Sequence, residues 1–218
     1  MHPRTIAIGD IHGCTAALEA VLKAAAPRRE DTVVVLGDIV DRGPDTCGTI
    51  ECLLDLAEEC RLVAILGNHD EMLLDIADGG DWLLDDWLHF GGTATLESYG
   101  CNLPEELPAE HLQFLESCLD YFETDGHIFL HATYRPDRPL ADQPPAALRW
   151  ESLHDMVPPP HQSGKRVIVG HTAQREGQIL DLGHIVCIDT FCYGGKWLTA
   201  MDVESGDLWQ ADARGRLR

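Results

Sequence analysis

The sequence has few positive charges, and this shortage limits the partners that the chain can bind. It contains 16 lysines and arginines against 37 aspartates and glutamates, which gives a formal net charge of −21. So acidic a chain repels the phosphate backbone of nucleic acids and the surface of anionic membranes. We therefore expect neither a nucleic-acid partner nor a membrane partner.

Long apolar runs and paired cysteine motifs are also missing. No run of about eighteen apolar residues is present, which argues against a transmembrane helix. The segment 1–9 lacks the apolar core and the cleavage site of a signal peptide. The eight cysteines are scattered, without CxxC or zinc-finger spacing, and this usage fits a reducing compartment. These absences predict a cytoplasmic protein.

The hydrophobic pattern of the first third predicts an α/β fold. Strand-like runs at 5–9, 32–36 and 62–66 alternate with helix-like segments at 14–25 and 46–59. Short continuous apolar runs are typical of strands that are buried on both faces. Their alternation with helices indicates a parallel sheet.

The rest of the chain shows a different pattern. We interpret residues from about 71 to 120 as a helical insertion, or small cap, within a single domain that spans 1–218. The segments 121–124 and 127–131 flank an Asp-Gly pair and predict a hairpin. Short strand candidates separated by turn residues continue to the end, and they predict an antiparallel second sheet.

An apolar stripe lies in the middle of the predicted insertion. It consists of Trp82, Leu83, Trp87 and Phe90. We expect these side chains to form the core of the cap rather than a binding platform.

Five short clusters of polar residues each follow a strand candidate. They are GDIHG at 9–13, GDIVDRG at 37–43, GNHD at 67–70, His131-Ala132 and GHT at 170–172. Ligands of open α/β sheets bind beyond the carboxyl ends of the strands, so these clusters can converge on one site. A single Gly-Asp or Gly-Asn-His motif is more often a turn, and a single buried histidine is more often a hydrogen-bonded core residue than a ligand. Five such clusters in this order are hard to explain in that way.

The clusters supply six side chains of the types that hold divalent metals. They are Asp10, His12, Asp38, Asn68, His131 and His171. Oxygen ligands mixed with imidazole nitrogens suit Mn, Fe or Zn better than Ca. Six ligands suit two ions that share a bridging carboxylate. Two such ions can activate a water molecule and hold the oxygens of an in-line displacement.

As an ordered set, the motifs resemble the phosphoprotein phosphatase branch of the calcineurin-like metallophosphoesterases. The resemblance runs from residue 9 to residue 172, and the short chain is similar to the bacterial and phage serine/threonine phosphatases of that branch. It implies an α/β fold in which helices flank a two-sheet β-sandwich. It also implies hydrolysis of a phosphate monoester by a hydroxide that bridges two divalent ions, with manganese the expected metal and iron or zinc the alternatives.

The resemblance also implies a role for each motif residue. Asp10 and His12 hold one ion, Asp38 bridges, and the other three candidate ligands complete the second site. His69 is the general acid that protonates the leaving oxygen, and Asp41 orients the imidazole of His69.

Two arginines are candidates for holding the substrate phosphate. Arg42 lies within GDIVDRG, and its guanidinium fork matches the geometry of phosphate oxygens. Bacterial relatives carry a second arginine two residues after a tryptophan, where this chain has Ser152. Arg149 precedes Trp150 instead, and we take it as the candidate second phosphate ligand.

Three hypotheses about function remain open. The first is a protein phosphatase that acts on phosphoserine and phosphothreonine, with phosphotyrosine as a further substrate. The second is a hydrolase of the diadenosine tetraphosphate type. The second substrate needs basic or aromatic contacts beyond the metals, whereas this chain is acidic and only 6% aromatic. The third is a catalytically silent, metal-stabilised binding module, against which the intact His69, Asp41 and Arg42 argue. The sequence leaves the oligomeric state open.

Overall fold

Two mixed β-sheets and flanking helices form the structure, a computed structural model that describes residues 2–218. The strands are β1 (Thr5–Ile8), β2 (Thr32–Val35), β3 (Arg61–Ala64), β4 (Tyr121–Glu123), β5 (His127–Leu130), β6 (Arg166–Val169), β7 (Leu180–Asp181), β8 (Ile185–Cys187), β9 (Leu198–Asp202) and β10 (Leu208–Ala211). The α-helices are α1 (Thr15–Ala25), α2 (Thr46–Glu59), α3 (Asn68–Ala77), α4 (Leu84–Trp87), α5 (Thr93–Tyr99), α6 (Ala109–Glu116) and α7 (Pro145–Arg149). This architecture confirms the predicted two-sheet α/β fold.

The first sheet confirms the parallel βαβ start. Its strand order is β10-β9-β1-β2-β3, and β1, β2 and β3 are mutually parallel. Thr5 pairs with Thr32 and Thr32 pairs with Arg61, so the three strands begin in register. Their carboxyl ends therefore lie side by side, which brings the residues after Ile8, Val35 and Ala64 to one edge.

The second sheet corrects the prediction of an antiparallel arrangement. Its order is β4-β5-β6-β8-β7, in which β5, β6 and β8 are parallel and only the edge strands are antiparallel. The last two strands, β9 and β10, instead extend the first sheet. Alternation and turn residues reveal that a strand exists, but they do not specify which sheet it joins. The predicted hairpin between β4 and β5 is confirmed.

Alternate residues of each central strand pack into different layers of the core. Ala7 and Val34 face the other sheet, where they meet Phe129 and Ile168. Ile6 belongs to the layer that packs against α1 and α2, on the opposite face of the same sheet. The central strands are thus buried on both faces, which explains their continuous apolar sequence.

The helices α3 to α6 lie between β3 and β4, where the sequence predicts an insertion. The assignment of 1–218 to a single domain with a helical insertion at about 71–120 stays a prediction. Within residues 2–218, no helix combines the length and the apolar character needed to cross a membrane.

The predicted apolar stripe of the insertion divides into buried and exposed side chains. Trp87 is fully buried, whereas Trp82 is 81% exposed and Phe90 is 50% exposed. The expectation that all four residues form the core is therefore wrong. The chain between Asp81 and Gly92 passes from a 3₁₀ turn through α4 into a π-helical turn, and Gly91 has a φ of 122°. An irregular path of this kind does not keep the helical periodicity on which the expectation depended.

Candidate metal centre

The polar clusters converge at the carboxyl ends of five strands. Asp10 follows β1, Asp38 follows β2, Asn68 follows β3, His131 follows β5 and His171 follows β6. His12 joins them from the loop after Asp10, and all of these side chains are buried except that of His171, which is half-buried. The structure thus brings all six predicted ligands together. Their roles as ligands stay a prediction.

Asp38 lies at the centre of the cluster. Its Oδ2 is 3.5 Å from His12 Nε2, and its Oδ1 is 3.4 Å from His131 Nε2. Two groups of possible metal ligands share this carboxylate, one with His12 and His69 and the other with His131 and His171. Within each group the ligand atoms lie no more than 4.8 Å apart. A carboxylate shared by both groups is what a bridging ligand needs, and the bridging role of Asp38 stays a prediction.

Three histidines each hold a backbone carbonyl with one ring nitrogen. The pairs are His12 Nδ1 with Val40 O at 2.8 Å, His131 Nδ1 with Leu36 O at 2.7 Å and His171 Nε2 with Trp150 O at 3.2 Å. A carbonyl oxygen only accepts, so these nitrogens carry the hydrogen. The opposite nitrogen of each ring then presents a lone pair to the cluster. This is the orientation in which imidazoles bind metals.

Asn68 joins the second group of possible ligands at short distances. Asn68 Oδ1 is 3.1 Å from His131 Nε2 and 2.9 Å from His171 Nδ1, and the two nitrogens are 3.2 Å apart. Their other nitrogens already donate to carbonyls, so this set consists of acceptors that face each other. One amide oxygen and two imidazole nitrogens that face each other are also a donor set that a divalent cation binds. The residues therefore fit a divalent ion.

Burial keeps the ligand histidines neutral. It lowers the pKa of His12 and of His131, and burial together with the neighbouring His131 lowers the pKa of His171 to about 4. Desolvation disfavours the charged form of an imidazole. Neutral rings keep the lone pairs that metal binding needs.

The pKa values of the buried carboxylates in the cluster shift in opposite directions. Burial, with Asp189 and Asp38 nearby, raises the pKa of Asp10 well above its ordinary value. Burial also opposes ionisation of Asp38, but the surrounding histidines outweigh it and lower the pKa of Asp38. Asp189 was not among the predicted site residues, and burial raises its pKa to about 6. It follows strand β8 as the other clusters follow theirs, and that placement was the signal that could have identified it.

Glycines let the ligand loops approach one another closely. A Cβ at Gly67 would lie 2.2 Å from the backbone nitrogen of Asp38, and a Cβ at Gly170 would lie 2.0 Å from Asp10 Oδ1. Neither position accommodates a side chain. The glycines of GNHD and GHT are therefore required for the packing of the loops that carry the ligands.

A histidine–aspartate pair lies beside the cluster. His69 Nδ1 donates to Asp41 Oδ2 at 2.7 Å, and both side chains are buried. The two residues are those predicted as general acid and orienting carboxylate. Burial alone lowers the pKa of His69, but Asp38 and Asp41 outweigh it, so that the pKa is raised. The ring of His69 meets that of His12 edge to face, with centroids 4.9 Å apart.

The two predicted phosphate-binding arginines have different surroundings. Arg42 Nη1 donates to His12 Nε2 at 2.8 Å, and the guanidinium lies 4.6 Å from the ring centroid of Tyr193. Arg149 instead pairs with Glu71 Oε1 at 2.8 Å and with Asp120. Arg42 thus lies at the cluster, while the charge of Arg149 is balanced by two carboxylates. Phosphate binding by Arg149 stays a prediction.

One residue of GNHD has a structural function that the motif alone did not reveal. Asp70 accepts the backbone N–H groups of Ile39 and Val40 through Oδ1, and that of Gly67 through Oδ2. It joins the loop that carries Asp38 to the start of α3. Its carboxylate therefore sets the spacing between two ligand loops.

Comparison with known proteins agrees with this geometry. Residues 3–198 match the model of the calcineurin-like phosphoesterases. The chain belongs to the calcineurin-like phosphoesterase family. This family uses a dinuclear divalent metal centre, and the two groups of possible ligands around Asp38 lie where such a centre is expected.

Relatives within the calcineurin-like phosphoesterases differ in their substrates. A symmetrical bis(5'-nucleosyl)-tetraphosphatase of Ralstonia nicotianae is 45% identical over 76 residues, which cover 34% of this chain and 25% of that protein. Serine/threonine-protein phosphatase 1 of Salmonella typhimurium is 38% identical over 86 residues, which cover 34% of this chain and 38% of that protein. Each match thus spans well under half of the relative.

Solved structures of calcineurin-like phosphoesterases share the fold of the whole chain. A protein proposed to be a diadenosine tetraphosphatase has a TM-score of 0.74 and 23% identity, with 97% of this chain and 94% of that chain covered. The cold-active protein-tyrosine phosphatase of a Shewanella species has a TM-score of 0.69 and 16% identity, with 100% and 80% covered. At these identities the similarity concerns the fold alone.

Proposed function

We propose that this protein is a phosphatase that hydrolyses phosphate monoesters on proteins, with phosphoserine and phosphothreonine as its main substrates and phosphotyrosine as a further one. The observation that carries the proposal is the buried His69–Asp41 pair beside Arg42 and the Asp38 cluster. A general acid beside a phosphate-binding guanidinium suits a poor leaving group such as the serine alkoxide.

The chain's own residues divide the work in this proposal. The six predicted ligands would hold two divalent ions, which would supply an activated water and charge that stabilises the phosphate oxygens. Arg42 binds the remaining phosphate oxygens through its guanidinium fork. Asp41 holds the Nδ1 hydrogen of His69, which leaves Nε2 to deliver a proton to the leaving oxygen. Manganese is our proposed metal, with iron and zinc as the alternatives.

The distribution of charge favours a substrate with a single phosphate group. A dinucleoside tetraphosphate carries several negative charges along its length, and each of these charges needs a cationic side chain or a metal ion to balance it. Arg149 is already neutralised by Glu71 and Asp120, and the chain as a whole has a net charge of −21. Arg42, which lies at the cluster, suits one phosphoryl group.

Diadenosine tetraphosphate hydrolysis is the second candidate function. It is favoured by the 45% identity to the Ralstonia nicotianae tetraphosphatase over 76 residues. The matched stretch is short, and phosphatases of both classes are among the relatives.

A direct comparison of substrates tests the proposal. Phosphoserine, phosphothreonine and phosphotyrosine peptides and diadenosine tetraphosphate are assayed with manganese, iron, zinc or magnesium after chelator treatment. We expect the highest kcat/KM on phosphopeptides with manganese. A higher kcat/KM on diadenosine tetraphosphate would replace the proposal by the second candidate.

We also propose that the protein works in the cytoplasm. All eight cysteines are free thiols in the described structure, as expected in a reducing compartment. Fractionation of cells that produce the protein tests this location, and recovery in an oxidising compartment would contradict it.

A further inference from the structure

The carboxylate of Asp41 is held by two side chains of the helical region as well as by His69. Trp87 Nε1 donates to Oδ1 at 3.1 Å and to Oδ2 at 2.9 Å. Thr95 Oγ1 donates to Oδ1 at 2.8 Å and accepts the backbone N–H of Asp41 at 3.0 Å. Asp41, Trp87 and Thr95 are all fully buried. The carboxylate therefore has fixed partners on both oxygens.

These bonds determine how Asp41 meets His69. A carboxylate in a dry site is costly unless each oxygen has hydrogen-bond donors. Thr95 occupies Oδ1, and the indole N–H of Trp87 lies between the two oxygens, which leaves Oδ2 directed at His69 Nδ1. With Nδ1 as the donor, the proton available to a substrate is the one on Nε2.

The backbone around Asp41 also depends on this region. Asp41 and Arg42 have φ values of 71° and 68°, which side-chain-bearing residues rarely adopt. Such a conformation persists only where neighbouring structure holds it. The Arg42 N–H donates to Gly91 O at 3.1 Å, which ties the turn to the chain between α4 and α5.

A glycine pair allows this close packing. A Cβ at Gly91 would lie 2.7 Å from Arg42 Cγ, and a Cβ at Gly92 would lie 2.3 Å from the indole of Trp87. The two glycines thus let the segment 84–99 contact Asp41 and Arg42 at once. The segment 84–99 therefore packs directly against the turn that carries Asp41 and Arg42.

We propose that Trp87 and Thr95 are positioning residues that hold Asp41 so that His69 acts as the general acid. The inference rests on the proposed phosphomonoesterase function and adds to it that residues 84–99 are part of the catalytic apparatus. Removal of either donor loosens the Asp41 carboxylate, and the proton on His69 is then delivered less efficiently.

Leaving-group dependence tests the proposal kinetically. Thr95→Val removes one donor with little change of volume, and Trp87→Phe removes the other donor together with one ring of the indole. Both variants are assayed on a phosphoserine peptide and on p-nitrophenyl phosphate. General acid catalysis is worth about 10²–10⁴-fold, so we expect a loss of about 10-fold or more on the peptide and a much smaller loss on p-nitrophenyl phosphate. Thr95→Ser, which keeps the hydroxyl, should restore the peptide rate.

A control and a contrary outcome complete the kinetic test. Trp82→Phe changes a tryptophan of the same region that is 81% exposed, and it should leave both rates unchanged. Equal losses on the two substrates, or no rescue by Thr95→Ser, would overturn the positioning role. Should Trp87→Phe fail to fold, the Thr95 pair of variants decides the question alone.

A spectroscopic measurement on the metal-free protein is independent of turnover. The chain has five tryptophans, and Trp87→Phe identifies the indole N–H signal of Trp87 in a ¹H–¹⁵N spectrum. We expect Asp41→Asn to move that signal upfield, and Thr95→Val to change the ring ¹⁵N signals of His69. An unmoved Trp87 signal in Asp41→Asn would contradict the contact on which the proposal depends.

The two experiments separate the failure of this inference from that of the proposed function. A protein inactive on all phosphomonoesters but with the expected spectral shifts would refute the function and leave the contact network intact. An active enzyme whose variants lose equally on both substrates would refute the positioning role alone.

Discussion

Buried carboxylates lie at both ends of the first sheet, and their surroundings differ. Asp31 precedes β2 at the amino end, and its oxygens accept hydrogen bonds from backbone and guanidinium groups of both Arg4 and Arg28. At the carboxyl end, Asp10 and Asp38 lie among neutral imidazoles, backbone N–H groups and each other. Guanidinium groups of the chain balance the carboxylate at the amino end, whereas the carboxylates at the other end face imidazoles and further carboxylates, which are groups that divalent cations bind.

The comparison shows why burial alone does not identify a functional carboxylate. Burial disfavours ionisation at both ends, but at Asp31 the hydrogen bonds from Arg28 and Arg4 outweigh it and lower the pKa. At Asp10 burial and further carboxylates act together and raise the pKa. Ionisable groups whose pKa values are strongly shifted are concentrated at functional sites. We therefore expect changes at the carboxyl end to affect activity, and changes at the amino end to affect stability.

The strongest test of the comparison is Asp38→Asn. Because both groups of ligands share this carboxylate, we expect the variant to lose detectable phosphatase activity and to bind divalent ions more than about 100-fold more weakly. Manganese should raise the thermal midpoint of the wild type and leave that of the variant nearly unchanged. Asp31→Asn is the matched control. A variant at Asp38 that binds two manganese ions normally would contradict the bridging position.

The next largest effect is expected for His69→Asn. Loss of the general acid should reduce kcat on a phosphoserine peptide by about 10²–10⁴-fold, and should reduce it far less on p-nitrophenyl phosphate. The measurement is kcat and KM on both substrates at saturating manganese. Equal losses would show that His69 mainly holds a metal, a role that its place among the possible ligands of the first group permits.

A third test compares the two arginines. Arg42→Ala should lower kcat/KM by about 10- to 100-fold, because a charged hydrogen bond contributes about 1.5–3 kcal/mol. Arg149→Ala should have a smaller effect on phosphate binding, since its guanidinium pairs with Glu71 and Asp120. Inhibition constants for inorganic phosphate measure both variants. Equal weakening of phosphate binding would establish Arg149 as the second phosphate ligand.

The smallest effect on activity is expected for Asp31→Asn. It should reduce the free energy of unfolding by about 1–3 kcal/mol, because the guanidinium groups lose a charged acceptor, and leave kcat/KM unchanged at 25 °C. The native pKa of Asp31 is lowered, so its contribution is complete above the unfolded value of about 3.9 and is lost as the pH falls below it. Urea unfolding of wild type and variant between pH 7 and pH 3 measures this. If wild type and Asp31→Asn differed by the same free energy of unfolding at pH 7 and at pH 3, the predicted pH dependence would be wrong.

Much of the site could be predicted because its residues follow strands. An apolar run that ends in glycine and a polar residue indicates both the strand and its carboxyl end, as at Ile8–Asp10 and Val35–Asp38. Parallel strands in register then bring such ends together whatever their separation in the chain. The same argument brought His131 and His171 to the cluster although their sheet was not correctly predicted.

The sequence by itself determined the parallel strands, the glycines that permit close approach and the kinds of metal-binding group, because these depend on local composition and periodicity. Only the tertiary structure decided that Trp87 and Thr95, 46 and 54 residues from Asp41, hold its carboxylate. It also decided that Arg149 pairs with acidic side chains. A side chain's partner across such a separation depends on how the elements pack, and no local pattern encodes that packing.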